Sequence, residues 1–375
     1  KGVIYIVEKV IVFGTGKRAQ WIFNYLDKYN EFEIVEIWDN NEKKTGKSYE
    51  VNGKNVVVKQ PHYENQYNII VSSDVYYEEI TKQLIENLSI DPIYIKKFGY
   101  VFNNFKAKIL EKYKNSDNVG INNICQYLQE NELDVFCGQI SNNYPLDIFE
   151  VYKDSGNGLL YSFWQGKKIY LSPVYKNPND AKSYLCSLCK EQDVNSPHCY
   201  NIDKLDFDNT DIFIDGGAAE GFFALQVIDK VKHVYLVECD KEWVEALKCT
   251  FEPYKDKVTI IEKWLDESDS ENTVSIDTLV LNNKNIDKII VKMDIEGKET
   301  DVIKGMKKLI DSDIDMTCIV CTYHKSGDKD IIHDFFEQRG FNITFANGYM
   351  FFPYGEVIEP ELRKAVLTAR KIIKN

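Results

Sequence analysis

At 375 residues the chain is too long for one ordinary domain, and its 44% of apolar residues can fill more than one core. A formal charge of −13 argues against a nucleic-acid-binding surface, because phosphates would be repelled. No apolar run approaches the ~20 residues that span a bilayer, and nine cysteines without regular spacing suit reduced thiols, hence a cytoplasmic protein.

The first hundred residues read as a nucleotide-type fold of their own. Residues 9–13 form a strand, Gly14-Thr15-Gly16-Lys17-Arg18-Ala19 follows, and a helix runs on to Tyr29. Residues 34–38 make the next strand, ending at Asp39, and 68–72 make another. A G-x-G-x-x-A turn between strand and helix, with an acid at the next strand end, fits the dinucleotide fingerprint at Gly14, Gly16 and Asp39. Lys17 and Arg18, near the helix N-terminus, could hold a phosphate. A bound nucleotide and an empty Rossmann-like scaffold both fit this pattern.

Residues 101–200 read as a connector and lid. Between 105 and 137 the apolar residues recur at helical spacing (Ile109, Leu110, Tyr113; Ile124, Tyr127, Leu128). Residues 159–164 and 167–171, either side of Gln165-Gly166, read as a β-hairpin. A helix over 180–192 leads to Ser196-Pro197-His198-Cys199-Tyr200. Cys186 and Cys189, spaced C-x-x-C ahead of His198 and Cys199, invite a zinc reading. They fall inside the helix, however, where that spacing places two small hydrophobes on one face, so core packing is the preferred reading. Ser196, His198 and Tyr200 either cap the pocket of the following domain or only fix the linker.

The last 175 residues carry the chemistry. Asp211-Ile-Phe-Ile-Asp215-Gly216-Gly217-Ala218-Ala219-Glu220-Gly221-Phe222 reads as strand, tight turn and helix N-terminus, the glycines permitting close approach of a ligand. Glu238 lies at the end of the next strand (233–237), placed to accept hydrogen bonds from ribose hydroxyls. A third strand, 289–293, ends in Asp294-Ile295-Glu296-Gly297. Three acidic strand ends suit a cationic cofactor such as the sulfonium of S-adenosylmethionine better than a pyrophosphate. Helices over 241–251, 300–310 and 328–339 alternate with strands over 258–261 and 316–320, which predicts a doubly wound parallel sheet. A closing hairpin, 342–345 and 349–352, would turn at Asn347-Gly348. Ligands in such sheets sit beyond the carboxyl ends of the strands, where Asp215, Glu238, Asp294 and Thr322-Tyr323-His324 all fall.

Four segments together carry a family resemblance: Glu191-Gln192-Asp193 with Ser196-Pro197-His198, Asp215 to Phe222, Val291-Lys-Met-Asp-Ile-Glu-Gly297, and Cys321-Thr-Tyr-His-Lys325. Through them residues 160–370 resemble the FkbM-type methyltransferases. The resemblance implies a class I, S-adenosylmethionine-dependent O-methyltransferase acting on hydroxyls of carbohydrates, as in polysaccharides, nucleotide-sugars or glycosylated natural products. The expected architecture is α/β: two Rossmann-like doubly wound domains, 1–100 and 201–375, joined by the helical and hairpin connector 101–200. By the same resemblance Asp215, Gly216, Gly217 and Ala218 would wrap the methionine part of the cofactor, with Glu220, Gly221 and Phe222 beside it. Glu238 would hold the ribose, and the loop from Lys263 and Trp264 to Asp266 would border the adenine.

Methyl transfer is an in-line displacement, so alignment of the hydroxyl and a nearby base both help. Asp294, Glu296 and His324 are the candidate catalytic groups, and an imidazole titrates in the right range. Asp294 could instead touch the amino group of the cofactor. Asp294 and Glu296 could also offer oxygen ligands to a divalent metal, but Gly297 marks the strand as ended, and no metal is assigned. His62, His233 and His333 read as structural. The competing function is a nucleotide-sugar-binding or NAD-dependent sugar-modifying protein, working through Gly14, Gly16 and Asp39, with a vestigial methyltransferase domain.

Overall fold

The computed structural model describes residues 7–29, 32–73, 76–138, 140, 144–281, 283, 285–353 and 361–373. The chain divides into two units, Lys1–Lys112 with Leu128–Asp134, and Tyr113–Tyr127 with Val135–Asn375. Residues 101–200, expected as a connector of their own, are shared between these units rather than forming a third body.

The first unit contains β1 (Glu8–Phe13), α1 (Lys17–Tyr29), β2 (Phe32–Trp38), β3 (Ser48–Val51), β4 (Lys54–Lys59), β5 (Asn68–Val71), α2 (Tyr77–Leu88), β6 (Ile95–Lys96) and most of α3 (Asn103–Tyr113). Its sheet runs β3-β4-β2-β1-β5-β6. β1 lies parallel to β2 and to β5, so the expected strand–turn–helix at Gly14 sits at the centre of this sheet. The β3–β4 hairpin was not expected from the hydrophobic pattern, because β4 buries only two of its six residues. Its signal was the turn, Asn52-Gly53, both residues at positive φ as a tight hairpin requires. α4 (Val119–Glu130) spans the boundary between the units.

The second unit opens with an antiparallel sheet of β7 (Tyr152–Lys153), β8 (Leu160–Trp164) and β9 (Lys167–Tyr170), the last two forming the expected hairpin. α5 (Pro178–Glu191) follows, its first turn capped by the Asn177 side chain. Cys186 and Cys189 are buried among the apolar residues of its inner face. The main sheet is then laid down by β10 (Thr210–Gly216), α6 (Phe222–Val227), β11 (Val231–Val237), α7 (Lys241–Phe251) and β12 (Val258–Ile261). The small pair β13 (Trp264–Leu265) and β14 (Thr273–Val274) precedes α8 (Ile276–Leu281), β15 (Lys288–Met293), α9 (Glu299–Val302), α10 (Lys307–Ile310), β16 (Asp315–Cys321) and α11 (Asp328–Glu337). Last come β17 (Asn342–Phe345), β18 (Met350–Phe351), β19 (Leu362–Arg363) and β20 (Val366–Lys371).

The seven main strands are ordered β12-β11-β10-β15-β16-β20-β17. The first five are parallel, and β20 is antiparallel to both β16 and β17. β10 is buried along its whole length. Side chains alternate across the sheet: Phe213 and Ile290 enter the core on one face, Ile212, Ile214, Val291 and Met293 the core on the other.

Two expectations are corrected. β17 does not pair with the strand after Asn347-Gly348; its partner is β20, while β18 pairs with β19. β20 joins the sheet by inserting beside β16, a long-range pairing that no local turn announces. The helix expected over 300–310 is broken into α9, a 3₁₀ turn at Ile303–Met306, and α10. At Gly305 an added Cβ would lie 2.7 Å from the Asp266 carbonyl oxygen, so the break accommodates the chain crossing there. Among the described residues, no helix is long and apolar enough to cross a membrane.

Candidate active site

The turn after β10 brings three strand ends into contact. Gly217 has φ +67°, and a Cβ there would overlap the Asp294 carbonyl oxygen at the end of β15. The N–H groups of Gly217 and Ala218 donate to the Val237 carbonyl at 3.0 and 3.3 Å, tying the same turn to β11. A Cβ on Gly216 would overlap Leu265, the neighbour of Trp264, and one on Gly221 (φ +75°) would overlap Phe251 of α7. Only glycine permits this convergence. Ala218 and Phe222 are buried beside it.

Glu238 is buried at the end of β11 and is held by backbone donors. One oxygen accepts from Ala219 N at 2.9 Å, the other from Cys239 N and Asp240 N at 2.8 Å each. Asp215 is 1% exposed and stands 3.0 Å from Lys292 Nζ. That ammonium also donates to the Gly217 carbonyl at 2.8 Å. Burial raises the Asp215 carboxyl and Lys292 partly offsets it. Burial would lower Lys292, but the charges of Asp215 and Asp294 hold it above its ordinary value. Glu220, also buried, accepts from the Tyr184 hydroxyl. Burial pushes its carboxyl up to about 7.

Asp294 is the hub on the other side of the turn. Its Oδ2 accepts from the Tyr200 hydroxyl at 2.8 Å and lies 3.5 Å from His198 Nε2. Its Oδ1 lies 3.4 Å from the Tyr323 hydroxyl and 3.5 Å from His324 Nε2. Burial would raise this carboxyl, but the hydrogen bond from His198 and the charges of His198, Lys292 and His324 hold it well below the carboxylate range. His198 Nε2 also sits 3.2 Å from the Tyr323 hydroxyl. Burial is the first cause that raises the phenols of Tyr200 and Tyr323 well above 10, with the Asp294 charge adding to it, so both remain hydrogen-bond donors. His324 is buried with Nδ1 2.9 Å from Glu299 Oε1, an ion-pair contact rather than an aligned hydrogen bond. Burial would lower its pKa, but the contact with Glu299 and the charges of Glu299, Asp294 and Glu296 raise it.

The structure thus brings Asp215, Gly216, Gly217, Ala218, Glu238, Asp294 and His324 together at one end of the sheet, and adds His198 and Tyr200. Ser196 accepts from His198 N at 3.1 Å and shapes the approach of that imidazole. Glu296 is farther out: its side chain is 86% exposed, 3.7 Å from His324 Nε2. Lys263 donates to the Ser270 carbonyl in an exposed loop, and Trp264 is more than half exposed. Four contributors were given no role in the site from the sequence, although Glu191 and Lys292 stand in the segments that carry the resemblance. Lys292 was legible as a lone cation in an apolar strand. Glu299 lies two residues past Gly297, where nothing marked it as inward-facing. Glu191 is half-buried, with burial as the first cause raising its carboxyl, and His198 is near enough to oppose the shift. Arg363 donates to the carbonyls of Tyr323 and His324 and so braces the histidine loop.

In the first unit, Asp39 is already engaged. Its Oδ2 accepts from Thr15 at 2.6 Å and Lys44 at 2.9 Å, and its Oδ1 accepts from Asn41 N at 2.9 Å. A Cβ on Gly14 would overlap Ser72 Oγ, so strand packing accounts for that glycine. Gly16 is exposed and Arg18 stacks over Phe98. The side chain of Lys17 lies outside the described residues.

Comparison with known proteins gives two domain matches. Residues 6–95 match a domain described as C2185-like, N-terminal, and residues 259–343 match the methyltransferase FkbM domain. No curated protein matches the chain. Similar solved structures include a methyltransferase FkbM from Methylobacillus flagellatus, 13% identical, covering 97% of this chain and 90% of that one with a TM-score of 0.48. Others are precorrin-6y C5,15-methyltransferase from Geobacter metallireducens (14% identity, 44% and 83% coverage, TM-score 0.31) and a SAM-dependent methyltransferase from Aquifex aeolicus (11%, 51% and 98%, 0.30). The FkbM methyltransferase match thus falls on the second unit, over residues 259–343, within the parallel sheet whose strand ends carry the acids.

Proposed function

We propose that the second unit transfers a methyl group from S-adenosylmethionine to a hydroxyl of a carbohydrate, free, polymeric or linked to a nucleotide. The observation that carries this reading is Asp294, an ionised carboxylate set between two imidazoles and two phenols at the end of β15. The donor fits the opposite side of the turn. Gly216 and Gly217 present bare backbone, and Oε2 of Glu238 accepts only from Ala219 N, which leaves that oxygen a position for a ribose hydroxyl. The sulfonium charge suits the neighbourhood of Asp215 and Asp294. Glu220, Gly221 and Phe222 would support the donor from the first turn of α6, and Lys263 and Trp264 would border its base.

In the transfer, the acceptor oxygen bonds to the methyl carbon as the carbon–sulfur bond breaks, and the sulfonium becomes a neutral thioether. The hydroxyl proton passes to an imidazole on Asp294, either His324 or His198. Tyr200 and Tyr323 donate to Asp294 and keep it ionised, so it holds each imidazolium as it forms. Glu191 and Glu296, at the margin, offer acceptors for further hydroxyls of a sugar. A reducing, cytoplasmic setting suits the nine free cysteines.

The test is calorimetric titration of S-adenosylmethionine into the wild type and the Glu238→Ala variant, followed by transfer of labelled methyl to a panel of sugars and nucleotide-sugars. Micromolar binding lost in Glu238→Ala, with label appearing on a sugar hydroxyl, supports the reading. Absence of donor binding by cofactor-free protein would refute it.

A further inference from the structure

We propose that Asp294, Glu299 and His324 form a binding site for a divalent metal ion of the Mn²⁺/Mg²⁺ class. One donor atom from each of the three lies within 4.8 Å of the other two. His324 Nε2 is 3.5 Å from Asp294 Oδ1, and its Nδ1 is 2.9 Å from Glu299 Oε1. An ion takes one of these two ring nitrogens, and the 4.8 Å limit on the three donor atoms compares with about 3 to 4 Å between donors in an octahedral shell with bonds of ~2.1 Å, so the group must close on binding.

Independent evidence lies in groups left unsatisfied. Glu299 is 0% exposed, and its Oε2 has no hydrogen-bond partner. His324 is 7% exposed, and neither ring nitrogen makes an aligned hydrogen bond. A buried carboxylate oxygen without a donor is costly.

The local charge is also unbalanced. The carboxylates of Asp294, Glu296 and Glu299 all lie within 4.0 Å of the one imidazole of His324. Among the described residues, no Lys or Arg forms an ion pair with any of them. The nearby cations serve this group only in part: His198 faces Asp294 alone, at 3.5 Å, Lys292 pairs with Asp215 and reaches Asp294 only through its field, Lys325 donates to the Gly297 carbonyl, and Arg363 to the carbonyls of Tyr323 and His324. A divalent cation would supply the missing charge and the missing partner together. One imidazole with carboxylate oxygens is a donor set suited to Mn²⁺ or Mg²⁺ rather than to a thiolate-selected ion.

The site deepens the methyl-transfer reading, since an ion beside Asp294 would bind the acceptor hydroxyl and lower its pKa. His198, on the other oxygen of Asp294, would then be the imidazole that remains to take the proton. Ion binding is nevertheless measured without donor or acceptor. Loss of methyl transfer with the ion still bound would refute the functional reading and leave this site standing.

The experiment uses the full chain, stripped with chelator and titrated with Mn²⁺, free ion being followed by electron paramagnetic resonance. The expected result is one bound ion per chain, weakened at least tenfold in Asp294→Asn and Glu299→Gln. Binding should be unchanged in Glu337→Gln, which alters the surface group of His333, Asp334 and Glu337. Pulsed spectra of the wild type should show coupling to one imidazole nitrogen, which persists in His333→Gln and disappears in His324→Gln. That coupling is read on the wild type and on a surface variant, so a buried variant that fails to fold does not remove the test. No ion held at millimolar Mn²⁺, no nitrogen coupling, or equal binding in Glu299→Gln would each overturn the proposal.

Discussion

Tyr200 and Asp294, 94 positions apart, share a hydrogen bond of 2.8 Å. It joins the segment ahead of the main sheet to the end of β15. The Tyr200 ring is independently held against Phe223 at 5.2 Å and His198 at 5.3 Å, so Tyr200→Phe should keep its place and lose only its donor. A hydrogen bond to a charged acceptor contributes roughly 1.5–3 kcal/mol. A fall of about 10- to 100-fold in kcat/KM for methyl transfer is expected, with little change in Tm, and steady-state assays with labelled donor would measure it.

Gly217→Ala should be far more damaging than an ordinary glycine-to-alanine change. The residue holds φ +67°, and its Cβ would overlap the Asp294 carbonyl oxygen. Backbone strain alone contributes about 1–3 kcal/mol, and displacement of β15 adds to it. Denaturant unfolding should show a loss of at least about 2 kcal/mol, accompanied by loss of donor binding in calorimetry.

Lys292 and Asp215 form a buried pair at 3.0 Å. Removing one partner leaves an uncompensated charge, which typically costs about 3–5 kcal/mol. Lys292→Met should therefore be strongly destabilising, and adding Asp215→Asn should recover part of the loss. A double-mutant cycle by urea unfolding decides this; purely additive losses would mean that the two charges are not coupled.

Glu220 gives stability a pH dependence of defined sign. Its carboxyl ionises near the ordinary 4.5 in the unfolded chain and near 7 in the folded one, because burial opposes the charge; Tyr184 and Lys292 oppose that rise and Glu191 adds to it. As pH rises from about 4.5 to about 7 the unfolded state loses its proton first, so stability falls through that window and stays lower above it. The difference amounts to roughly 3 kcal/mol. Glu220→Gln should flatten the stability profile between these pH values relative to wild type, and should be the more stable protein at pH 8. A parallel profile for the two proteins would show that Glu220 titrates normally.

The strand-end acids and the glycine turn were readable in the sequence because their spacing is local: a short strand, a sharp turn and a helix within about a dozen residues. His324 was readable for the same reason, following a strand of clear apolar pattern. His198 and Tyr200 were legible only as lid candidates, since their contacts with Asp294 and Tyr323 bridge about a hundred residues and leave no periodic trace. Glu299 was invisible because an acid in the first turn of a helix normally faces solvent; the tight turn at Glu296 and Gly297, both at positive φ, precedes its inward placement. The closing hairpin was misread because Asn347-Gly348 is a favoured turn dipeptide, whereas the pairing that prevails, β17 with β20, is set by the sheet as a whole.

The place of β20 between β16 and β17 bears on how the protein is made. During synthesis β16 and β17 leave the ribosome before the strand that must lie between them, so for a time each presents an unpaired edge. The histidine loop waits as well, because Thr322 bonds to Ala365 and Arg363 braces the carbonyls of Tyr323 and His324. A nascent chain halted before residue 363 would therefore carry the Gly216-Gly217 turn without a braced histidine loop. Such chains would be open to edge-to-edge aggregation and a natural target for chaperones.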